Sequence, residues 1–301
     1  MKVRISPAFL LLCAAVAARG AETASYLDIG VGARGLGMGG AYTALADDAH
    51  SVYWNPAGLA RLEKREVAAS HSELGNSTRH DFLAYAHPTS QAVLAAAFTY
   101  LNQGTIAGRD AAGRPTGGYG ASDTALAFAA GRKTDLVDAG VSVKYLRSHI
   151  ASAEAQGLGL DAGLRRELPA GAGKVVLGAA LRNIGPGLKY EDQRNALPLR
   201  AAFGAGYRFD KGHSLAVEFQ NGPRGAGSEG GAGGEFKARE GVMLRLGYTS
   251  KSSAVAGSGF DAARGLTLGL GLKKDGFGLD YAAQAAGELG STHRFTLSAR
   301  F

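Results

Sequence analysis

From residue 65 onward the chain alternates between apolar and polar positions with a period of two, in runs separated by turn-forming residues. Residues 242–248 read VMLRLGY: Val242, Leu244, Leu246 and Tyr248 share one face, and Met243, Arg245 and Gly247 the other. In 266–273 (LTLGLGLK) four leucines oppose Thr267, Gly269, Gly271 and Lys273, and in 277–284 Phe277, Leu279 and Tyr281 oppose Gly278, Asp280 and Gln284. This is the signature of a strand with one apolar face. The pattern predicts fourteen strands, near 65–72, 81–87, 92–101, 122–132, 137–147, 154–166, 173–184, 197–208, 212–220, 230–238, 240–249, 264–273, 276–285 and 290–301.

The connections sort by parity. Odd-numbered ones include 102–121, 185–196, 221–229 and 250–263, whereas even-numbered ones shrink to turns at 88–91, 133–136, 209–211, 239 and 274–275. Long loops at one end, tight turns at the other and an even strand count are the layout of an outer-membrane barrel, and a soluble sandwich has no reason to adopt it. The faces agree. Val141, Val143 and Tyr145 oppose Ser142 and Lys144, and Leu199, Phe203 and Tyr207 oppose Arg200, Gly204 and Arg208. A charge facing lipid at mid-depth costs ~2–4 kcal/mol, so the register with arginines inward is preferred. Tyr100, Tyr145, Tyr207, Phe209, Tyr248 and Phe277 fall at expected strand ends, as a girdle would.

Composition sharpens the picture. Lys2 and Arg4 precede an apolar run, Ala8 to Ala18, followed by small residues, so 1–20 reads as a secretory signal peptide. The one cysteine, Cys13, lies in it, so no disulfide or thiol metal site is expected afterwards. Removing Lys2, Arg4 and Arg19 leaves 30 basic residues against 26 acidic ones, dispersed and unsuited to nucleic acid. No apolar stretch after the leader reaches the ~18–20 residues of a membrane helix. The expected organisation is a signal peptide (1–20), an N-terminal plug (21–62) and a transmembrane β-barrel (63–301).

Residues 26–59 break the alternation. Glycines at 30, 32, 35, 37, 39 and 40 are too dense for a helix interior or a paired strand. Residues 41–46 are expected to form a turn or two of helix, and Asp47-Asp48 a solvated acidic pair rather than a metal or acid–base site. Pro56 and Gly58 give Trp54-Asn55-Pro56-Ala57-Gly58 the chemistry of a turn. So compact a segment buries too little apolar surface to fold alone, so it is expected inside the barrel, with Asn55 bonding backbone groups. Arg34 is expected to meet an inward acid such as Asp138, Asp161, Glu218 or Asp280, and Gly157, Gly159, Gly204 and Gly206 to leave room beside the plug. Gly30-x-Gly32-x-x-Gly35 matches a dinucleotide fingerprint only formally, since no strand precedes it and no βαβ unit surrounds it.

The run Gly32-Ala33-Arg34, Gly37-Met38-Gly39-Gly40-Ala41, Ala46-Asp47-Asp48 and Tyr53-Trp54-Asn55-Pro56-Ala57-Gly58-Leu59 resembles the start of PorV/PorQ-family outer-membrane proteins, within the wider FadL-like barrels. The resemblance implies a closed barrel in a Gram-negative-type outer membrane, and a role with type 9 secretion components or secreted cargo. The alternative is FadL-like transport of hydrophobic small molecules. A general diffusion porin ranks third, because a filled lumen would block it. The polar, glycine-rich stretch 102–121 offers little apolar surface for capturing a lipid.

The other expected partners are membrane lipid and the barrel-assembly machinery, whose recognition signal would be the last strand, with Phe295, Leu297 and the terminal Phe301 on one face. The seven histidines show no ligand spacing, and no zinc-hydrolase, nucleophile-elbow, P-loop or EF-hand pattern occurs. No enzymatic activity, cofactor or metal is expected.

Overall fold

The computed structural model of the chain describes residues 22–75, 77–190, 192–224, 227–250, 265–285 and 291–301. The expected leader and nearly all of the expected loop 250–263 lie outside the described residues. In chain order the strands are β1 (Glu66–Glu73), β2 (Arg79–Pro88), β3 (Val93–Arg109), β4 (Pro115–Lys133), β5 (Asp138–Ile150), β6 (Ala153–Pro169), β7 (Gly173–Ile184), β8 (Leu188–Tyr190), β9 (Gln193–Asn195), β10 (Arg200–Phe209), β11 (Ser214–Gly222), β12 (Gly227–Arg239), β13 (Val242–Thr249), β14 (Leu266–Lys274), β15 (Phe277–Ala285) and β16 (Ser291–Arg300). Only β8 and β9 stand apart, as a small hairpin. The other fourteen form one closed antiparallel barrel in which β1 pairs with both β2 and β16. Closure leaves no strand edge to satisfy, the condition a sheet must meet in lipid.

The alternation becomes the two faces of the wall. Leu244, Leu246 and Tyr248 of β13 point out, while Arg245 between them is buried. Val141, Val143 and Tyr145 of β5 point out, while Ser142 and Lys144 are buried. Leu266, Leu268, Leu270 and Leu272 lie outside and Thr267 inside. Among the described residues no helix is long and apolar enough to cross a membrane.

The stretch 102–121 is not a loop. β3 and β4 continue through it as a hairpin turning at 110–114, with register shifts between Asn102 and Thr105 and between Gly108 and Arg109. Its outer part is solvated on both sides, so no apolar face forms and the two-residue period has nothing to mark it. The connection after β7 likewise carries β8 and β9. Leu188 and Leu197 on this connection fold inward over Gly157 and Gly159.

The N-terminal segment contains short helical turns at Ser25–Asp28, Ala33–Gly37, Ser51–Trp54 and Pro56–Arg61. Residues 41–46 form turns rather than the expected helix. The reason is tertiary: the backbone N–H groups of Tyr42 and Thr43 donate to the Glu218 carboxylate of β11 (2.8 and 2.7 Å). The helical turn instead falls in the glycine-rich 33–37. There Gly35 lies against the Tyr42 and Trp54 rings, and Gly37 against the backbone of Gly269.

Candidate functional site

The N-terminal segment touches inward-facing residues on every side of the barrel, and glycines at its level make the contact backbone-close. A Cβ at Gly140 of β5 would collide with Pro56 and Ala57, and one at Gly163 of β6 with the Asn55 amide. Gly178 and Gly204 receive Ala44, and Gly233 and Gly247 receive Met38 and Gly39. Gly39 has φ +66° and faces the Tyr248 backbone, so neither its conformation nor its space admits a side chain. Asn55 is the joint of the turn. Its Nδ2 donates to the carbonyls of Thr43 (2.9 Å) and Leu164 of β6 (3.1 Å), and its Oδ1 accepts from the Ala57 N–H (3.1 Å). Gly204 and Gly206 leave no room beside the segment, because Ala44 and Leu45 fill them.

Towards the short-turn end a chain of ion pairs crosses the lumen. Arg34 meets Asp47 (2.6 Å) and an inward acid of the wall, Glu235 of β12 (2.9 Å), though none of the four named as examples. Glu235 also takes Arg245 of β13 (2.7 Å), and Asp47 also takes Arg208 of β10 (2.7 Å). The acidic pair is therefore not solvated. Asp48 is buried, accepting from the Tyr42 hydroxyl (2.6 Å) and the His50 N–H (3.0 Å). Burial alone would raise the Asp47 pKa, but the guanidiniums of Arg208 and Arg34 outweigh it and hold the carboxyl well below the usual carboxylate range. For His50, burial disfavours the cation, yet the Asp48 carboxylate raises its pKa above the ordinary histidine value.

The lumen is filled unevenly. On the β2–β5 side lies a pocket of about 20 Å³, beside Tyr26 and Val52. Towards β11–β16 lie two cavities. One of about 490 Å³ occupies the long-loop half, between Tyr53, Trp54 and Leu36 of the segment and Arg182, Arg200 and Arg294 of the wall. The other, about 400 Å³, occupies the short-turn half beside Arg34, His50, Glu66, Lys273 and Arg300. The turn Ala33–Gly37 packs on β13–β16 between their linings, and hydroxyls of the wall hold it. Thr296 accepts from the Ala33 N–H (2.9 Å), and Thr267 donates to the Gly37 carbonyl (3.1 Å) while accepting from the Gly39 N–H (3.0 Å).

Of the expected site residues, Gly37, Met38, Gly39 and Gly40 thus lie on the β12–β14 side, and Asn55, Pro56, Ala57 and Gly58 on the β4–β6 side or just inside it. Trp54 forms part of the floor of the larger cavity, its Nε1 donating to the Val31 carbonyl (2.9 Å). Phe295, Leu297 and Phe301 point outward, away from both cavities. The three cavity arginines escaped the sequence reading as a set. What unites them is a basic residue on the inward row near the long-loop end of β7, β10 and β16. No group of three or more metal-ligating side chains is gathered among the described residues.

Solved structures with this architecture are known. The Pseudomonas putida toluene transporter TodX is similar at a TM-score of 0.63 and 11% identity, over 90% of this chain and 99% of that one. A FadL homologue of Pseudomonas aeruginosa is similar at a TM-score of 0.59 and 12% identity, over 90% of this chain and 98% of that one. At such identities the likeness establishes the fold alone: a closed fourteen-strand antiparallel barrel of the kind found in these outer-membrane proteins. No curated protein matches the sequence. A family model described as "Uncharacterised protein family (UPF0164)" matches residues 15–168, just over half of the chain. The chain belongs to the uncharacterised protein family UPF0164.

Proposed function

We propose that the chain is a non-catalytic barrel of a Gram-negative-type outer membrane that passes small molecules inward from its long-loop end, with the N-terminal segment as plug and gate. One observation carries this reading: two ligand-sized cavities lie on one arc of the lumen, parted by a short helical turn anchored to two threonine hydroxyls. The larger falls in the size range of small-molecule sites. Parting the turn from β14–β16 would join them without disturbing the seal on the opposite arc. The FadL-like likeness of the barrel supports transport. The protein-secretion role implied by the PorV/PorQ resemblance rests on residues 32–59 alone, and a docking adaptor has no need of paired internal cavities.

The test is a reversible lock. Gly37→Cys and Gly269→Cys, introduced together, place two thiols where the turn meets the wall. In proteoliposomes, entry of small solutes should stop on oxidation and return on reduction. Equal permeation in both states would sink the gate. The outward row Phe295, Leu297 and Phe301 is our candidate for the contact with barrel-assembly machinery, and Phe301→Asp is expected to lower membrane levels with periplasmic degradation. Unchanged levels would remove it.

A further inference from the structure

The larger cavity has an electrostatic character that transport alone does not require. Arg182 and Arg294 are only 3% and 6% exposed, yet among the described residues neither guanidinium is paired with a carboxylate. Arg182 donates to the Gln220 side chain (2.6 Å) and lies over the rings of Tyr53 (5.1 Å) and Trp54 (5.8 Å). Arg294 donates to Thr292 (2.9 Å) and Gln284 (3.3 Å). Among the described residues the Nε and Nη1 of Arg182 and the Nε of Arg294 have no hydrogen-bond partner, nor has the Nη1 of Arg200, whose guanidinium is paired with Asp28 (2.5 Å). Glu218, on the same wall, accepts from the plug backbone, the Thr43 hydroxyl and Gln220, and it feels the charge of Arg182 without a direct ion pair.

Arg182 lies on the inward row of β7 with Val176 and Ala180, and a bulge turns the residue after it inward as well. Arg182 and Asn183 are consecutive and both buried, whereas neighbours in a regular strand face opposite ways. A bulge explains it: between Leu160 and Ala162 of β6 the register shifts, Asn183 takes φ +61°, and its N–H donates to Asp161 (2.8 Å). Unpaired guanidinium N–H groups held in a confined site are costly, and an oxyanion is their matching partner.

We infer that this cavity is a binding site for a compact organic oxyanion, its carboxylate or phosphate taken between Arg182 and Arg294 and its flat apolar body against Tyr53 and Trp54. Both long hydrocarbon chains and neutral hydrocarbons are disfavoured, since Glu22, Gln220 and Glu229 also line the space. This inference rests on the transport reading only for the ligand's onward route; binding itself requires just the cavity.

Trp54 is the chain's single tryptophan, so intrinsic fluorescence of the full chain in nonionic detergent reports on this site. Benzoate and phenyl phosphate are titrated against the neutral benzamide. At least one anion should saturate with an affinity roughly tenfold or more above that of benzamide, and the tighter of the two identifies the head group. Arg182→Gln and Arg294→Gln should each remove most of that margin, read as the ratio of anion to benzamide affinity within each variant, and Arg294→Lys should retain part of it. Benzamide binding as tightly as both anions, or folded glutamine variants keeping the full anion affinity, overturns the inference. Octanoate binding tighter than benzoate overturns its compact-ligand part. The native-protein comparison decides even if a variant does not fold. Anion binding without uptake into proteoliposomes would leave this site standing and remove the transport reading. Equal uptake of benzoate and benzamide would do the reverse.

Discussion

The two arcs of the lumen are built from the same materials and joined to the N-terminal segment in different ways. On β4–β6 the joint is backbone against backbone: Pro56 and Ala57 sit where the side chains of Gly131 and Gly140 would be, and Asn55 bridges two carbonyls. On β14–β16 backbone meets backbone at one place, Gly37 on Gly269, and the rest of the joint is two hydroxyls with a cavity on either side. A close-packed backbone contact tolerates no added atom, whereas a hydroxyl contact beside open volume can part and re-form. In the proposed reading the first contact is an anchor and the second a gate.

The sharpest way to break this contrast is to add one methyl group to each arc. Gly163→Ala drives a Cβ into the Asn55 amide and is expected to cost more than about 3 kcal/mol, or to prevent folding. Gly269→Ala meets Gly37 Cα and Arg245 Cβ at 3.3 and 3.1 Å and is expected to cost about 1 kcal/mol or less. The temperature at which the folded band converts on gels measures both. Equal losses would mean that the arcs do not differ.

Asn55→Ala comes next. It leaves the carbonyls of Thr43 and Leu164 and the Ala57 N–H without their partner, at about 1–3 kcal/mol for each group left buried and unsatisfied. The same melting assay should show a large drop, and an unchanged transition would exclude Asn55 as the joint. Thr267→Val should do less to stability, about 1 kcal/mol, and more to permeability, because it releases the Gly37 carbonyl and leaves the Gly39 N–H to the Leu36 carbonyl within the turn, so nothing on β14 holds either. Single-channel recordings in planar bilayers should show more frequent opening than wild type; identical traces would argue that the turn is held by something else.

The smallest effect concerns protonation within the plug. Because the folded pKa of His50 is raised, its pairing with Asp48 is fully present below the ordinary value of about 6.5 and is lost as pH rises through the folded pKa. Because the folded pKa of Asp48 is depressed, its contribution is present above about 3.9 and is lost only as pH falls through the much lower folded value. Loosening is therefore expected first on the neutral-to-alkaline side. The groups facing His50 are Asp48, Ser70, Phe82, Glu66 and Asp280. An NMR titration should place the His50 midpoint above 6.5, and Asp48→Asn should lower it. A midpoint that ignores this substitution would remove Asp48 as the cause.

What the sequence determined by itself is local or periodic. Period-two runs marked all fourteen barrel strands and assigned Arg245, Lys144 and Thr267 inward, since side-chain alternation is a property of a strand alone. The dense glycines and the Asn55-Pro56 turn marked 26–59 as something no strand could absorb. The hairpin at 102–121 was hidden because a strand solvated on both faces leaves no apolar trace. Only the tertiary structure decided who meets whom in the lumen. Arg34 reaches Glu235 rather than Asp280, 41–46 give up a helix for the Glu218 carboxylate, and a bulge turns Asn183 inward beside Arg182. Each of these joins residues brought together by the register of a closed wall, and register around a lumen is set by the sum of many pairings, which no single segment encodes.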